Sequence, residues 1–170
     1  MSNLSPDQQT MLSTWQQHVH AEFVLKDADA ALATMTENPH VLLTPSGTGG
    51  IGWAAVHEFY ANQFLPNIPP DFEFSYVSQI FSKDRIVYEL VVDFTHTLRM
   101  DWMLPGVPPT GRKVEFILVI IIQIQTGKVA SEHFYWDQAT VLSQLGVLDI
   151  PVAAAGLESA TQLKKLSVFT

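Results

Sequence analysis

Two segments of this chain, Arg85–Thr97 and Val114–Gln125, are apolar at odd and even positions alike. Side chains along a β-strand alternate between its two faces. In the first segment Ile86, Tyr88, Leu90, Val92, Phe94 and His96 share one face, and Val87, Glu89, Val91, Asp93 and Thr95 share the other. In the second, Phe116, Leu118, Ile120, Ile122 and Ile124 oppose Glu115, Ile117, Val119, Ile121 and Gln123. An antiparallel sheet with one solvated face would show a polar residue at every second position. Both faces of this sheet therefore need cover. We expect helices and a pocket on one face and a second subunit on the other. That is a homodimer through the sheet, two-fold pairs being the commonest oligomers.

The other elements fall around these strands. Ser5-Pro6-Asp7 is a helix start, and Leu12, Trp15, Val19 and Phe23 then recur at helical spacing to about Leu25. Asp27 or Asp29 caps a second short helix containing Ala30, Ala31, Leu32 and Met35, which Asn38-Pro39 ends. His40–Thr44 reads as a short strand, and the glycine-rich segment 45–50 as a flexible turn. Trp53–Phe64 is a third helix, with Trp53, Val56, Tyr60 and Phe64 on one stripe. Strands follow at Phe72–Phe81, Arg85–Thr97, Val114–Gln125 and Lys128–Asp137, with a Pro/Gly-rich loop, Met100–Lys113, between the second and third. A last helix runs from Gln138 to about Leu145 and is closed by Gly146. The tail after Pro151 either packs as a short helix or stays loose. Helices first and a hairpin-linked sheet afterwards give an α+β layout. We read one domain over residues 1–170, with a core at about 10–150 and an extension at 151–170.

Composition narrows the function. Hydrophobic residues make up 47% of the 170 and charged residues 15%. So apolar a chain has surface left over for a ligand cavity or a subunit interface. The net charge is −8, with only 9 Lys and Arg and no basic run. Nucleic-acid backbones and anionic membrane surfaces, which need clustered cations, are therefore not expected partners. Cysteine is absent, which removes disulfides, iron–sulfur clusters and thiolate catalysis and fits a reducing cytoplasm. The polar N-terminus lacks a signal peptide's apolar stretch, and the apolar run Phe116–Ile122 is too short to span a bilayer. Gly47, Gly49, Gly50 and Gly52 precede no phosphate-binding lysine, so nucleotide binding is not expected. His18 and His20, two apart on a helix, point different ways, and no metal or other cofactor is expected.

Polar residues embedded in the strands are the informative ones: Glu89, Asp93, His96, Glu132, His133 and Asp137. Each must find a partner or shift its pKa. His133, Tyr135 and Asp137 share one parity on the last strand, and Glu132, Phe134 and Trp136 the other. Both sets line one cavity only if a bulge intervenes. Glu132 has Arg112 or Lys113 as a candidate ion-pair partner. Glu89 and Asp93 read either as a proton-sharing pair or as interface residues.

Leu104-Pro105-Gly106-Val107-Pro108-Pro109-Thr110-Gly111-Arg112 before an apolar strand resembles the SnoaL-like polyketide cyclase family. So does Gly127-Lys128-Val129 leading to Glu132-His133-Phe134-Tyr135-Trp136-Asp137-Gln138, then Leu142 and Gln144-Leu145-Gly146. The resemblance covers roughly residues 10–150. It implies the nuclear-transport-factor-2-like (cystatin-like) fold: a cone-shaped, strongly curved antiparallel sheet packed with N-terminal helices. That fold hosts isomerases, cyclases, hydratases, hydrolases and non-catalytic binders. In members that close aldol rings, a carboxylate near the end of the last strand is the general acid/base, and Asp137 stands at the matching position. Asp137 also directly precedes a helix, as an N-cap would. His133, His96 or Tyr135 would donate to the enolate oxygen, or His133 is simply a satisfied strand histidine. Trp15, Phe23, Trp53, Tyr60, Trp102 and Tyr135 are the candidate ligand contacts. Trp102 and Met103 are also candidates for a lid. The expected activity is a cofactor-independent cyclase or isomerase, with a hydrolase or hydratase behind it, acting on a small apolar, polyketide-like or aromatic molecule. The alternatives are a non-catalytic binder of such a molecule and a dimeric module whose cone is plugged by its own side chains.

Overall fold

The computed structural model describes residues 4–148 and 156–167. Ser5 caps helix α1 (Pro6–His20) reciprocally: its hydroxyl accepts the Gln8 N–H, and the Gln8 side chain accepts the Ser5 N–H. The helix runs on into a π-helical turn, Ala21–Leu25, stopped by Lys26 in the left-handed conformation. Its buried residues are Met11, Trp15, His18, Ala21 and Glu22. That stripe is rotated from the expected Leu12–Trp15–Val19–Phe23 and carries two ionisable groups into the protein.

Asp27 caps α2 (Ala28–Ala33), accepting the Ala30 N–H. The helix ends at Thr34 and not at Asn38-Pro39. Strand β1 (Met35–Leu43) starts at once, and Pro39 falls in a register shift between Met35 and His40, where a missing N–H is tolerated. Part of the segment read as a flexible turn is strand β2 (Thr48–Ile51), antiparallel to β1. Its glycines serve close packing: a Cβ on Gly50 would lie 2.5 Å from the Ala55 backbone in α3 (Trp53–Glu58). A second π-helical turn, Phe59–Phe64, extends α3.

Strands β3 (Glu73–Phe81), β4 (Arg85–Thr95), β5 (Lys113–Gln125) and β6 (Lys128–Trp136) pair as an antiparallel meander, and β1 joins β6 in parallel. The order is β2-β1-β6-β5-β4-β3, one curved, unclosed sheet with the N-terminal helices on its inner face. The expected parity holds there: Tyr88, Leu90, Val92 and Phe94 of β4 and Phe116, Leu118, Ile120 and Ile122 of β5 are buried in the core the helices complete. Full burial of such a side chain stabilises the fold by about 1.5–3 kcal/mol.

Asp137 caps α4 (Gln138–Leu145), and Gly146 closes it at φ 69°. Helix α5 (Gly156–Lys165) crosses the outer face, where Ala160 and Leu163 pack on Val77, Val91 and Ile117. Lys164 reaches Glu115 and, at 3.6 Å, Asp93. Part of the face expected to meet a second subunit is thus covered by the chain's own C-terminal helix. Asp93 bonds to Lys113 and Lys164, and Glu89 accepts from the Ser78 hydroxyl at 2.9 Å, so the two do not share a proton.

Candidate active site

The inner face of the sheet and the helices enclose a narrow cavity of about 60 Å³. Its walls are mostly aromatic: Trp15 and Phe23 from α1 and its π-turn, Tyr60 and Phe64 from the second π-turn, Phe72, Phe74, Tyr76, Tyr88, Phe116, Phe134 and Trp136 from the sheet side, and Trp102 from the long loop. Glu22 is the one carboxylate among the described lining residues, and no Lys, Arg or His joins it.

Behind that wall Glu22 belongs to a buried polar cluster with His18, Tyr60 and Glu132. The His18 ring fixes its geometry. Thr34 Oγ1 donates to the Ala31 carbonyl at 2.6 Å, so it accepts the His18 Nδ1 proton at 2.7 Å. His18 Nε2 then faces Glu132 Oε1 at 2.9 Å and Glu22 Oε1 at 3.4 Å. Tyr60 donates to Glu132 Oε1 at 3.1 Å. Burial alone would lower the His18 pKa, but the Glu132 and Glu22 carboxyls reverse that and hold it at about 10. The ring is therefore an imidazolium at neutral pH, with Glu132 Oε1 at its Nε2. Burial pushes the Glu22 carboxyl above its ordinary value; the His18 charge opposes the rise and Glu132 adds to it. Burial and the two carboxyls keep the Tyr60 phenol protonated far into alkaline pH.

Glu22 and Tyr60, the two members that line the cavity, both sit in π-helical turns. Such turns occur often at functional sites. His18, Glu22 and Glu132 are also the group of described residues spaced to share a metal ion, their ligand atoms lying within 4.8 Å of one another. The His18 proton supplies the positive charge between the two carboxyls here.

Of the residues expected from sequence, Trp15, Phe23, Tyr60 and Trp102 line the cavity. Trp53 does not: it is 46% exposed and stacks on His57. Tyr135 points to the outer face and is 42% exposed. Asp137 is exposed at the head of α4, where its carboxylate accepts from Ala139 N, Thr140 N and the Thr140 hydroxyl. The Thr140 hydroxyl and backbone N–H groups hold its pKa below the usual range. His133 bonds His40 through the two Nε2 atoms at 3.0 Å, away from the cavity lining. His96 is fully buried, with Nδ1 3.3 Å from Thr110 Oγ1 and Nε2 unpartnered among the described residues, and burial lowers its pKa. It too lies outside the lining. Glu132 pairs with His18 and Tyr60 in place of Arg112 or Lys113.

Trp102 and Met103 line the cavity, and their loop is tied down. Ser46 donates to the Trp102 carbonyl at 2.9 Å, Gln138 to the Met103 carbonyl at 3.0 Å, and the Trp102 indole to Asn67 O at 3.3 Å. Sequence reasoning weighed His18 only with His20, as a metal ligand, and passed over Glu22. The signal was the four-residue spacing of His18 and Glu22, one helical turn, on the stripe that carries Met11 and Trp15.

An aromatic cavity with a buried acid–base cluster in its wall is thus set in a curved α+β fold of the nuclear-transport-factor-2-like kind. The family model for SnoaL-like polyketide cyclases matches residues 10–145, and the chain belongs to that family. Solved structures share the fold at low identity. One is a protein described as a SnoaL-like polyketide cyclase from Jannaschia sp. CCS1, 19% identical, with a TM-score of 0.68 over 89% of this chain and 100% of that one. Another is AclR of Streptomyces galilaeus, described as a hydroxylase, 20% identical, with a TM-score of 0.61 over 92% and 97%. A third is TerC, crystallised with polyporic acid, 15% identical, with a TM-score of 0.59 over 81% and 98%. No curated protein matches the sequence.

Proposed function

We propose that this protein is a cofactor-independent acid–base enzyme of the cyclase or isomerase kind. Its substrate is a small, neutral, apolar or aromatic ketone. The observation that carries this reading is Glu22: a buried carboxyl of raised pKa, placed in an otherwise apolar wall and backed by a protonated histidine. As the carboxylate, Glu22 takes a proton from the carbon beside the ketone. Tyr60, which stays protonated, turns its hydroxyl toward the enolate oxygen as charge develops there. Where a C=C bond is conjugated with the enolate, Glu22 returns the proton to the far carbon of that dienolate as the double bond shifts; otherwise it returns it to the alkoxide formed when the enolate carbon attacks another carbonyl. The first outcome is isomerisation and the second ring closure. His18 and Glu132 form a pair that positions Glu22 and Tyr60. The family match supports this kind of chemistry, and a fold relative crystallised with polyporic acid supports a small-molecule ligand. We further propose that the protein works as a homodimer through the outer sheet face, and in the cytoplasm, which the lack of cysteine fits.

The test uses 2-tetralone, a small enolisable ketone, in deuterated water, with exchange at its α-carbons followed by NMR. Wild-type protein should accelerate exchange over buffer, and Glu22→Gln should lower the rate by about 10²-fold or more while the circular dichroism stays unchanged. Binding without exchange rejects the enzyme in favour of a non-catalytic binder.

A further inference from the structure

Trp15 and Tyr88 also face a second space. On their far side lies a groove of about 360 Å³, lined also by Leu12, Gln16 and Gln79. It shares Trp15, Val19, Tyr76 and Tyr88 with the cavity as common walls. The Trp15 and Tyr88 rings stand with centroids 6.3 Å apart at that boundary, a partition of side chains and not of backbone.

Three features make the groove more than leftover surface. The first is the β3 register shift between Tyr76 and Ser78. Uninterrupted alternation would put residues 76 and 79 on opposite faces, and the extra residue brings both onto the groove. The second is the hydrogen bonding that Gln79 and Tyr88 keep in reserve. Gln79 Nε2 donates to the Tyr88 hydroxyl at 2.7 Å. The amide retains its carbonyl and a second N–H for a ligand, and the phenol retains its own proton. The third is length. Glu22, Gln16 and Leu12 lie along one helical run, and at 1.5 Å per residue Gln16 is about 9 Å and Leu12 about 15 Å from Glu22 along its axis.

We infer that the groove is a second subsite for the same substrate, which is longer than the cavity: its enolisable end sits at Glu22, and its far end carries a neutral hydroxyl or carbonyl oxygen held by Gln79, Tyr88 and Gln16. This rests on the acid–base reading of the cavity. The far end is uncharged because no Lys or Arg lines either space among the described residues. A carboxylate or phosphate there would find no partner.

The experiment compares 2-tetralone with 6-hydroxy-2-tetralone, whose hydroxyl stands at the opposite end of the bicycle from the ketone. Affinities are read from tryptophan fluorescence and exchange from NMR. Wild-type protein should bind the hydroxylated probe about fivefold more tightly, the size of one net hydrogen bond. Gln79→Leu, which removes the amide, and Leu12→Trp, which fills the groove, should each bring the ratio of affinities to about one. A ratio of one in the wild type overturns the inference, and so does a preference that survives both variants. Exchange of 2-tetralone that depends on Glu22 but comes with no such preference sinks the groove and leaves the cavity reading standing. A groove-dependent preference without exchange does the reverse. Failure of both probes to bind the wild type rejects both readings.

Discussion

His18 holds its second proton because two carboxyls face it across a dry interior, and that proton ties the fold to pH. The folded-state pKa of about 10 lies above the ordinary 6.5. The folded chain thus binds this proton more tightly than the unfolded chain. The resulting stability is fully present below about pH 6.5 and is lost as pH rises through about 10. Glu22 acts in the same direction, since a carboxyl whose folded pKa is raised favours folding while protonated and opposes it once ionised. Urea midpoints should therefore fall between pH 7 and pH 10, by a free energy on the order of 3 kcal/mol. A midpoint that stays level over that range would refute the imidazolium assignment. His18→Gln should already be destabilised at pH 7, by about 3 kcal/mol, because Glu132 is left buried without its charge partner, and its alkaline slope should be shallower. The sequence exposed this cluster poorly. A strand carboxylate such as Glu132 stands out against apolar neighbours, whereas Glu22 sits among the ordinary polar residues of an amphipathic helix. Only the rotation of α1, set by tertiary packing, turns it inward.

At the scale of elements, α4 separates the two roles open to Asp137. Its carboxylate accepts three hydrogen bonds from the helix it begins. Asp137→Ala should cost about 1 kcal/mol at neutral pH, lowering Tm by about 2–4 °C, with Glu22-dependent exchange unaffected. The pKa is held low in the folded state, so this contribution is present above about pH 4 and is lost as pH falls. Loss of exchange in Asp137→Ala with an unchanged Tm would restore the carboxylate to the chemistry. Elements with local signals were legible: the Ser5 and Asp27 caps, the Gly146 stop and the hairpin strands β3 to β6. Strand β2 and the two π-turns were not, because long-range contacts define them. Gly50 is shaped by the backbone of α3 and not by its own neighbours.

For the molecule as a whole, the proposed dimer turns on the outer sheet face. Helix α5 covers Val77, Val91 and Ile117, and a further row on the same face lies outside that cluster among the described residues. In register, Ile80, Val87, Ile121, His133 and Leu42 run across β3, β4, β5, β6 and β1. Ile80 is 61% and Leu42 41% exposed. Five strands at about 4.8 Å spacing make that row about 19 Å wide. The apolar composition that first called for cover on both faces is met on the inner face by helices and on the outer face only in part. A second copy seated on this row would complete it, and the two cavities, opening on the opposite side of the sheet, would remain free. Wild-type protein should then sediment as a dimer at micromolar concentration. Ile121→Lys places a charge at the centre of the row, on a partly buried outer-face side chain, and should give a monomer whose secondary structure and 2-tetralone exchange are retained. A wild type that stays monomeric at 100-fold higher concentration would leave the outer face to α5 alone and remove the dimer from the proposal.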